Sequence, residues 1–218
     1  MHKVLIADDH PLFRDAIVHI LTSQFAGCST FETEDIAETI SFAKQNEDLD
    51  LIMLDLNMPG MSGLDGLLDL INECPTIPVV VVSAENNKQV ILQTMTYGAV
   101  GFIAKSSSKD EISTAIATVL EGSVYLPADI LRAKVAPQSR NEPPILPDML
   151  ASLTRRQLMV LKCMTKGEAN KQIAYNLNVS ETTVKSHVSS ILKKLGVSNR
   201  VQAVLGCSGI DFNHYLKR

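Results

Sequence analysis

The chain's pattern predicts a doubly wound α/β unit with a five-stranded parallel sheet, followed by a small all-α unit. Three observations carry that prediction. Five short β-rich runs alternate with helical apolar spacing across the first 121 residues. Acidic, hydroxyl and lysine side chains close four of those runs. Charge then inverts: residues 1–121 hold 18 acidic and 6 basic residues, a net of −12, whereas residues 151–218 hold 3 acidic and 11 basic, a net of +8.

In chain order, the runs at Lys3–Ala7, 27–31, 49–54, 77–82 and 99–103 read as strands. Four consecutive valines in the fourth suit a strand buried on both faces. Leu12, Phe13, Ala16, Ile17, Ile20 and Leu21 recur at i, i+3, i+4 spacing, as do Ile112, Ala115, Ile116, Val119 and Leu120. Repeated strand–helix alternation argues a parallel sheet with helices on both faces, over residues 1–122. Residues 123–148 form a linker rich in proline, holding five of the nine prolines in the chain. A short helix is expected over 127–135, then an extended tether over 136–147, because proline fixes φ and removes a donor.

Residues 149–214 return to helical spacing and predict four helices. Thr154 caps the first, which carries Leu158, Val160, Leu161 and Met164 and ends at Gly167. A second carries Ile173, Ala174 and Leu177; Asn178 and Val179 make a turn. Ser180 caps a longer third helix with Glu181 in its first turn, ending at Gly196. A short fourth runs through Val201, Ala203, Val204 and Leu205.

A basic module of this size points to a polyanion partner, or to docking on the acidic half. Cys28, Cys74, Cys163 and Cys207 lack CxxC spacing and read as reduced core residues of an intracellular protein. The leading apolar stretch is too short for a signal peptide, and no run approaches membrane-spanning length. A soluble, cytoplasmic protein with no membrane partner is the expectation.

In a doubly wound sheet the strand ends meet at the edge where strand order reverses. Asp8 and Asp9 would there approach Asp55, with Ser83 and Lys105 beside them. Three carboxylates in one crevice repel one another unless a divalent cation holds them. A strand-end carboxylate is a competent nucleophile toward an activated phosphoryl group, with Lys105 and the Ser83 hydroxyl placed to contact its oxygens. This requires Asp9 and Asp55 on one rim and the Asp55 carboxylate open to attack. The plainer alternative is that the acids cap helices, Asp8 or Asp9 capping the one entered through Pro11.

On a helical wheel the Ser180-capped helix turns Val184, Val188, Ile191, Leu192 and Leu195 inward. Thr182, Thr183, Ser186, Ser190 and Lys193 point away, flanked by Lys185, His187, Ser189 and Lys194. Lysines and small hydroxyls without acids beyond Glu181 suit a DNA major groove, where lysine reaches phosphate or guanine. A solvated face is the alternative, although such faces ordinarily mix both signs. His187 reads as a packing or phosphate contact, since no second His or Cys lies at ligand spacing.

The stretches Asp8-Asp9-His10-Pro11-Leu12-Phe13-Arg14, Asp55-Leu56-Asn57-Met58-Pro59-Gly60, Val82-Ser83-Ala84 and Gly98 through Lys105 resemble the receiver domain of bacterial two-component response regulators, which has a flavodoxin-like fold. Leu153-Thr154, Asn170 to Ala174, Val179 to Val188 and Leu192 to Val197 resemble the LuxR-type helix-turn-helix. Together they resemble the NarL/FixJ family of transcriptional regulators. The resemblance implies a regulator, not an enzyme, in which Asp55 accepts phosphate from a sensor histidine kinase. It implies Mg²⁺ bound directly by Asp9, Asp55 and the Asn57 carbonyl, with Asp8 acting through water. Ser83 and Phe102 match switch positions, and Phe102 equally fits ordinary strand packing. It further implies a homodimer on double-stranded DNA, with RNA polymerase as a further contact. Lys185 and its outward neighbours would read the groove, while Lys171, Lys194 and Arg200 hold phosphates. Ser106 stands where many receivers have proline. Arg155 and Gln157 replace a frequent proline and glutamate, and the missing acid would weaken an ion pair within the domain.

Three alternatives stand beside this reading. A metal-dependent aspartyl phosphatase would place a second Asp two residues past the nucleophile, where this chain has Asn57, whose amide cannot shuttle a proton. A constitutive DNA binder would use its receiver only for docking or dimerisation. A single-strand binder would need aromatic platforms, and the outward face of the Ser180 helix has none.

Overall fold

The computed structural model describes residues 2–85, 87–127, 130, 145, 147–207, 210 and 212–216. They fall into two compact units, divided after residue 126.

The first unit is a five-stranded parallel sheet of order β2-β1-β3-β4-β5. Its strands are β1 Lys3–Ala7, β2 Ser29–Thr33, β3 Leu51–Asp55, β4 Val79–Ser83 and β5 Gly101–Ala104. Helices α1 Pro11–Gln24, α2 Ile36–Gln45, α3 Asp65–Glu73, α4 Lys88–Thr96 and α5 Lys109–Leu120 alternate with them. The alternation of side chains along each strand puts Val4, Ile6, Met53, Val80, Val82 and Ile103 into one core with Ile17, Ile20 and Leu21 of α1 and Ile112, Ile116 and Val119 of α5. Leu5, Ile52, Leu54, Val81 and Phe102 point the other way and are equally buried, so helices cover both faces.

Strands β2 to β5 each begin two residues later than the apolar runs suggest. Leu49, Ile77 and Ala99 are buried, but their N–H groups close turns on Asn46, Cys74 and Thr94 respectively. Apolar residues that seal the preceding helix mimic the start of a strand. A larger departure is in α1: Leu12 is 85% exposed and Ala16 is exposed, whereas Arg14 is buried.

Tyr125, in the expected linker, pairs with the β5 edge. The Phe102 N–H donates to the Tyr125 carbonyl at 3.1 Å, and the Tyr125 N–H donates to Val100 at 3.1 Å. A Cβ on Gly101 would lie 3.1 Å from that Tyr125 oxygen and 3.4 Å from Val80 Cγ2. A side chain at Gly101 would push the Tyr125 backbone away by a few tenths of an ångström. Gly101→Ala is therefore expected to loosen the edge and destabilise the unit by about 1–3 kcal/mol in urea melts. Most of the expected helix over 127–135 and of the tether over 136–147 lies outside the described residues; within the former the Ile130 N–H donates to the Pro127 carbonyl at 3.0 Å.

The second unit comprises α6 Pro147–Ala151, α7 Arg155–Thr165, α8 Asn170–Leu177, α9 Glu181–Leu195, α10 Arg200–Gly206 and α11 Phe212–Leu216. Helices α7 to α10 correspond to the four expected ones; α6 and α11 are additional. Leu158, Leu161, Ile173, Val184, Val188, Ile191 and Leu195 share one core with Leu150 of α6 and Phe212 of α11. Thr154 and Gln157 form a reciprocal capping box at α7. Asn178 adopts φ 51° between α8 and α9, a conformation that asparagine tolerates better than most residues. No disulfide joins the four cysteines. Burial pushes the thiols of Cys74, Cys163 and Cys207 up to about 11, as suits packed, unreactive side chains. Among the described residues no helix is long and apolar enough to cross a membrane.

Candidate functional site: an acidic pocket and a basic helix

Strand β1 lies between β2 and β3, so the sheet order reverses at the β1–β3 pair. Ala7 is in register with Leu54. The next residue of each strand is an aspartate, and Asp8 and Asp55 emerge side by side. Single oxygens of Asp8, Asp9 and Asp55 and a ring nitrogen of His10 all lie within 4.8 Å of one another. Neither Asp8 nor Asp9 caps α1 through its side chain, since His10 occupies the N-cap without a side-chain bond. Asp8 Oδ1 instead accepts from the His10 N–H at 2.9 Å. The helix-capping alternative therefore fails for this pair.

Lys105 follows β5 and spans the pocket. Its Nζ lies 2.8 Å from Asp8 Oδ2 and 2.8 Å from Asp55 Oδ2, and 5.0 Å from the centre of the Phe13 ring. Burial lowers the pKa of this ammonium, but the hydrogen bonds and charges of the two carboxylates outweigh it and hold the pKa above the usual lysine value. His10 Nδ1 sits 2.7 Å from Asp9 Oδ1 and 3.1 Å from Asp8 Oδ1. The Asn57 N–H donates to Asp55 Oδ1 at 3.2 Å.

One expectation needs correction. Asp55 is only 1% exposed, not open to attack. Its cover includes the ends of Lys105 and of the exposed His10, whose Nδ1 is 4.0 Å from Asp55 Oδ2. The Lys105 ammonium is drawn onto the carboxylate by charge. Ser83, the last residue of β4, is fully buried and its Oγ accepts from the Glu85 N–H at 3.1 Å. Phe102 is buried within β5. Ser106 brings no cis bond, since no described peptide is cis.

The residues suit a hard divalent cation. Asp8 Oδ2 and Asp9 Oδ1 are buried and accept no well-directed hydrogen bond; their near neighbours are Lys105 Nζ and His10 Nδ1, cationic or basic groups that a divalent cation could replace. Oxygen ligands of this kind are what Mg²⁺ takes.

In the second unit, α9 buries Val184, Val188, Ile191, Leu192 and Leu195, as its spacing predicts. Thr182, Thr183, Ser186, Ser189 and Lys193 are exposed, with His187 and Ser190 half-buried, and Lys171 of α8 is exposed. Three assigned cations are differently placed. Lys185 is buried, three residues before Val188 on the rim of the inward face, with Nζ 3.5 Å from Glu181 Oε1. Lys194 Nζ donates to the Ser152 carbonyl at 2.8 Å and to Gln157 Oε1 at 2.9 Å. The neutral Gln157 amide thus accepts from a lysine, a hydrogen bond where a glutamate at this position would form an ion pair. Arg200 donates to Asn170 Oδ1 at 3.2 Å and to the Glu168 carbonyl. Burial pulls its pKa down to about 10, still protonated at neutral pH. Lys185, Lys194 and Arg200, expected at the DNA, thus also make contacts within the domain: Lys185 with Glu181 of its own helix, Lys194 and Arg200 with other elements.

Sequence reasoning gave no role to Arg14, which bonds Glu32, Glu34 and the Asp8 carbonyl. Its signal was phase: Arg14 lies three residues before Ile17 on the buried face of α1.

Residues 4–117 match the response regulator receiver domain, and residues 151–206 match the bacterial regulatory proteins of the luxR family. The chain is 58% identical over 221 residues to the glycerol metabolism activator of Pseudomonas putida, with all of both chains covered. It is 34% identical to the nitrate/nitrite response regulator protein NarP of Escherichia coli, over 93% of each. Its fold is like that of RcsB from Salmonella enterica serovar Typhimurium bound to promoter rprA in the presence of the phosphomimetic BeF3−. That likeness has a TM-score of 0.54 at 24% identity, covering 97% of this chain and 100% of that one. Receiver domains generally bind Mg²⁺ in such an acidic pocket and imply a histidine kinase partner. The chain belongs to the two-component response regulators that join a receiver domain to a LuxR-type helix-turn-helix, a family of transcription regulators rather than enzymes.

Proposed function

We propose that Asp55 is the phosphoacceptor, and that its phosphorylation by a sensor histidine kinase controls dimerisation and sequence-specific DNA binding. The observation that supports this most is the meeting of Asp8, Asp55 and Lys105 within 2.8 Å contacts, from positions up to 97 residues apart. An Asp55 oxygen attacks the phosphorus of the kinase's phosphohistidine. The O–P bond forms as the P–N bond breaks, and the electron pair leaves with the imidazole nitrogen, which takes up a proton. Asp9, Asp55 and the Asn57 carbonyl would hold Mg²⁺ directly and Asp8 through water; the ion, when bound, neutralises charge on carboxylate and phosphoryl oxygens. Lys105 moves its ion pair from the carboxylates to a phosphoryl oxygen, Ser83 donates to another, and Phe102 follows Ser83.

Thr182, Thr183, Ser186, Ser189 and Lys193 enter the major groove, flanked by His187, and Lys171 holds a phosphate. The DNA is double-stranded, the bound form is a homodimer, and RNA polymerase is a further contact. The domain boundaries 1–122, 123–148 and 149–214 belong to the same proposal. Incubation with Mg²⁺ and acetyl phosphate, followed by intact mass and a DNA shift, is the test. One phosphoryl group should add to the native chain, none to Asp55→Asn, and only the native chain should gain DNA affinity.

The burial of Asp55 favours one second reading, a regulator that binds DNA constitutively and uses its receiver for docking or dimerisation. Equal promoter occupancy by Asp55→Asn and the native chain would select it.

A further inference from the structure

Arg14 takes no part in the phosphoryl chemistry above, yet its guanidinium is drawn into the fold while Leu12, two residues before it, faces solvent. Three of its donors leave in three directions. Nη1 donates to the Asp8 carbonyl at 2.7 Å, Nε to Glu32 Oε2 at 2.8 Å and Nη2 to Glu34 Oε1 at 2.6 Å. Glu32 belongs to β2 and is in register with Ile6 of β1, and Glu34 follows the last residue of that strand. The two glutamates therefore anchor the guanidinium to the neighbouring strand, and the third arm reaches the acidic turn.

The Asp8 carbonyl is a particular acceptor. It belongs to the peptide joining Asp8 to Asp9, and that peptide is planar. Its orientation fixes the direction in which the chain enters Asp9. The Asp8 N–H is held separately, donating to the Thr33 carbonyl at 3.1 Å. With both peptide groups of Asp8 tied to β2, the two acids have little freedom to rotate out of the pocket. A lysine could not replace this clamp, because one ammonium on a flexible stem does not present a planar fork to three acceptors.

We infer that Arg14 is a positioning residue for the Asp8–Asp9 pair, setting the affinity of the acidic pocket for a divalent cation through the Asp8 main chain. The inference rests on the reading of that pocket as a cation site. Outer partners that orient metal ligands typically change affinity by about 10–100-fold when removed.

The test is calorimetric titration of the full chain with Mg²⁺, at a temperature where circular dichroism shows each variant folded. Arg14→Met should bind Mg²⁺ about 10–100-fold more weakly than the native chain. Arg14→Lys, which keeps the charge, should recover only part of the loss, and it carries the test if Arg14→Met does not fold. Ile116→Ala, a core truncation in α5, supplies the control for general destabilisation. It should lower the melting temperature and leave Mg²⁺ affinity unchanged. Native affinity in both Arg14 variants, or an equal fall in Ile116→Ala, overturns the inference while the cation site stands. Absence of Mg²⁺ binding by the native chain overturns the cation reading and this inference with it.

Discussion

Raising salt from about 50 to about 200 mM is expected to weaken DNA binding roughly 10²-fold, and the size of that fall discriminates between two assignments of the basic residues. Each phosphate contact contributes about −0.9 to the slope of log affinity against log salt. If Lys171, Lys185, Lys193, Lys194 and Arg200 all held phosphates in both protomers of the proposed homodimer, roughly ten contacts would give a fall near 10⁵. The structure commits the last two and Lys185 to contacts within the domain. If phosphate holding falls to Lys171 and Lys193 alone, as proposed, roughly four contacts per dimer give a fall near 10². Fluorescence anisotropy on a labelled promoter duplex, repeated across the salt range, measures the slope. A fall near 10⁵ would return Lys185, Lys194 and Arg200, or other basic residues, to the interface. No salt dependence at all would reject groove binding.

Arg200→Ala and Lys193→Ala should separate into different phenotypes for the same reason. Arg200 bridges the start of α10 to Glu168 and Asn170 at the start of α8. Its removal leaves the half-buried Glu168 carbonyl without this donor, at a cost of about 1–3 kcal/mol. Thermal and urea melts should show that loss, and the salt slope of the folded fraction should be unchanged. Lys193 is an exposed charge in the last turn of α9. Its truncation should move stability by no more than about 0.5 kcal/mol and reduce the salt slope by roughly one for each protomer. Should Arg200→Ala melt like the native chain and bind with a shallower slope, its role as an interior contact would be wrong.

Much of the architecture follows from local pattern. The five runs, their alternation with helical spacing and the inward face of α9 all appear in the structure. Strand starts are not legible where Leu49, Ile77 and Ala99 seal helix ends, because an apolar residue looks alike in a turn and in a strand. Asp8, Asp9, Asp55 and Lys105 are legible as neighbours because a parallel sheet delivers successive strand ends to one edge. The additional helices α6 and α11 are too short to show a period and flank the periodic segments.

By itself the sequence determined the order of elements, the residue types crowded at the sheet's reversal point and the family to which the chain belongs. Periodicity and spacing carry that information, since each is a property of one segment read along its own axis. Only the tertiary structure decided which charges are already taken: Arg14 by Glu32, Glu34 and the Asp8 carbonyl, Lys105 by Asp8 and Asp55, Lys194 by Gln157 and Ser152. It also decided that the Asp55 carboxylate lies buried in a pocket whose cover includes side-chain ends. A charge's partner comes from whichever other segment packs beside it, and that approach is not written into the local pattern of either one.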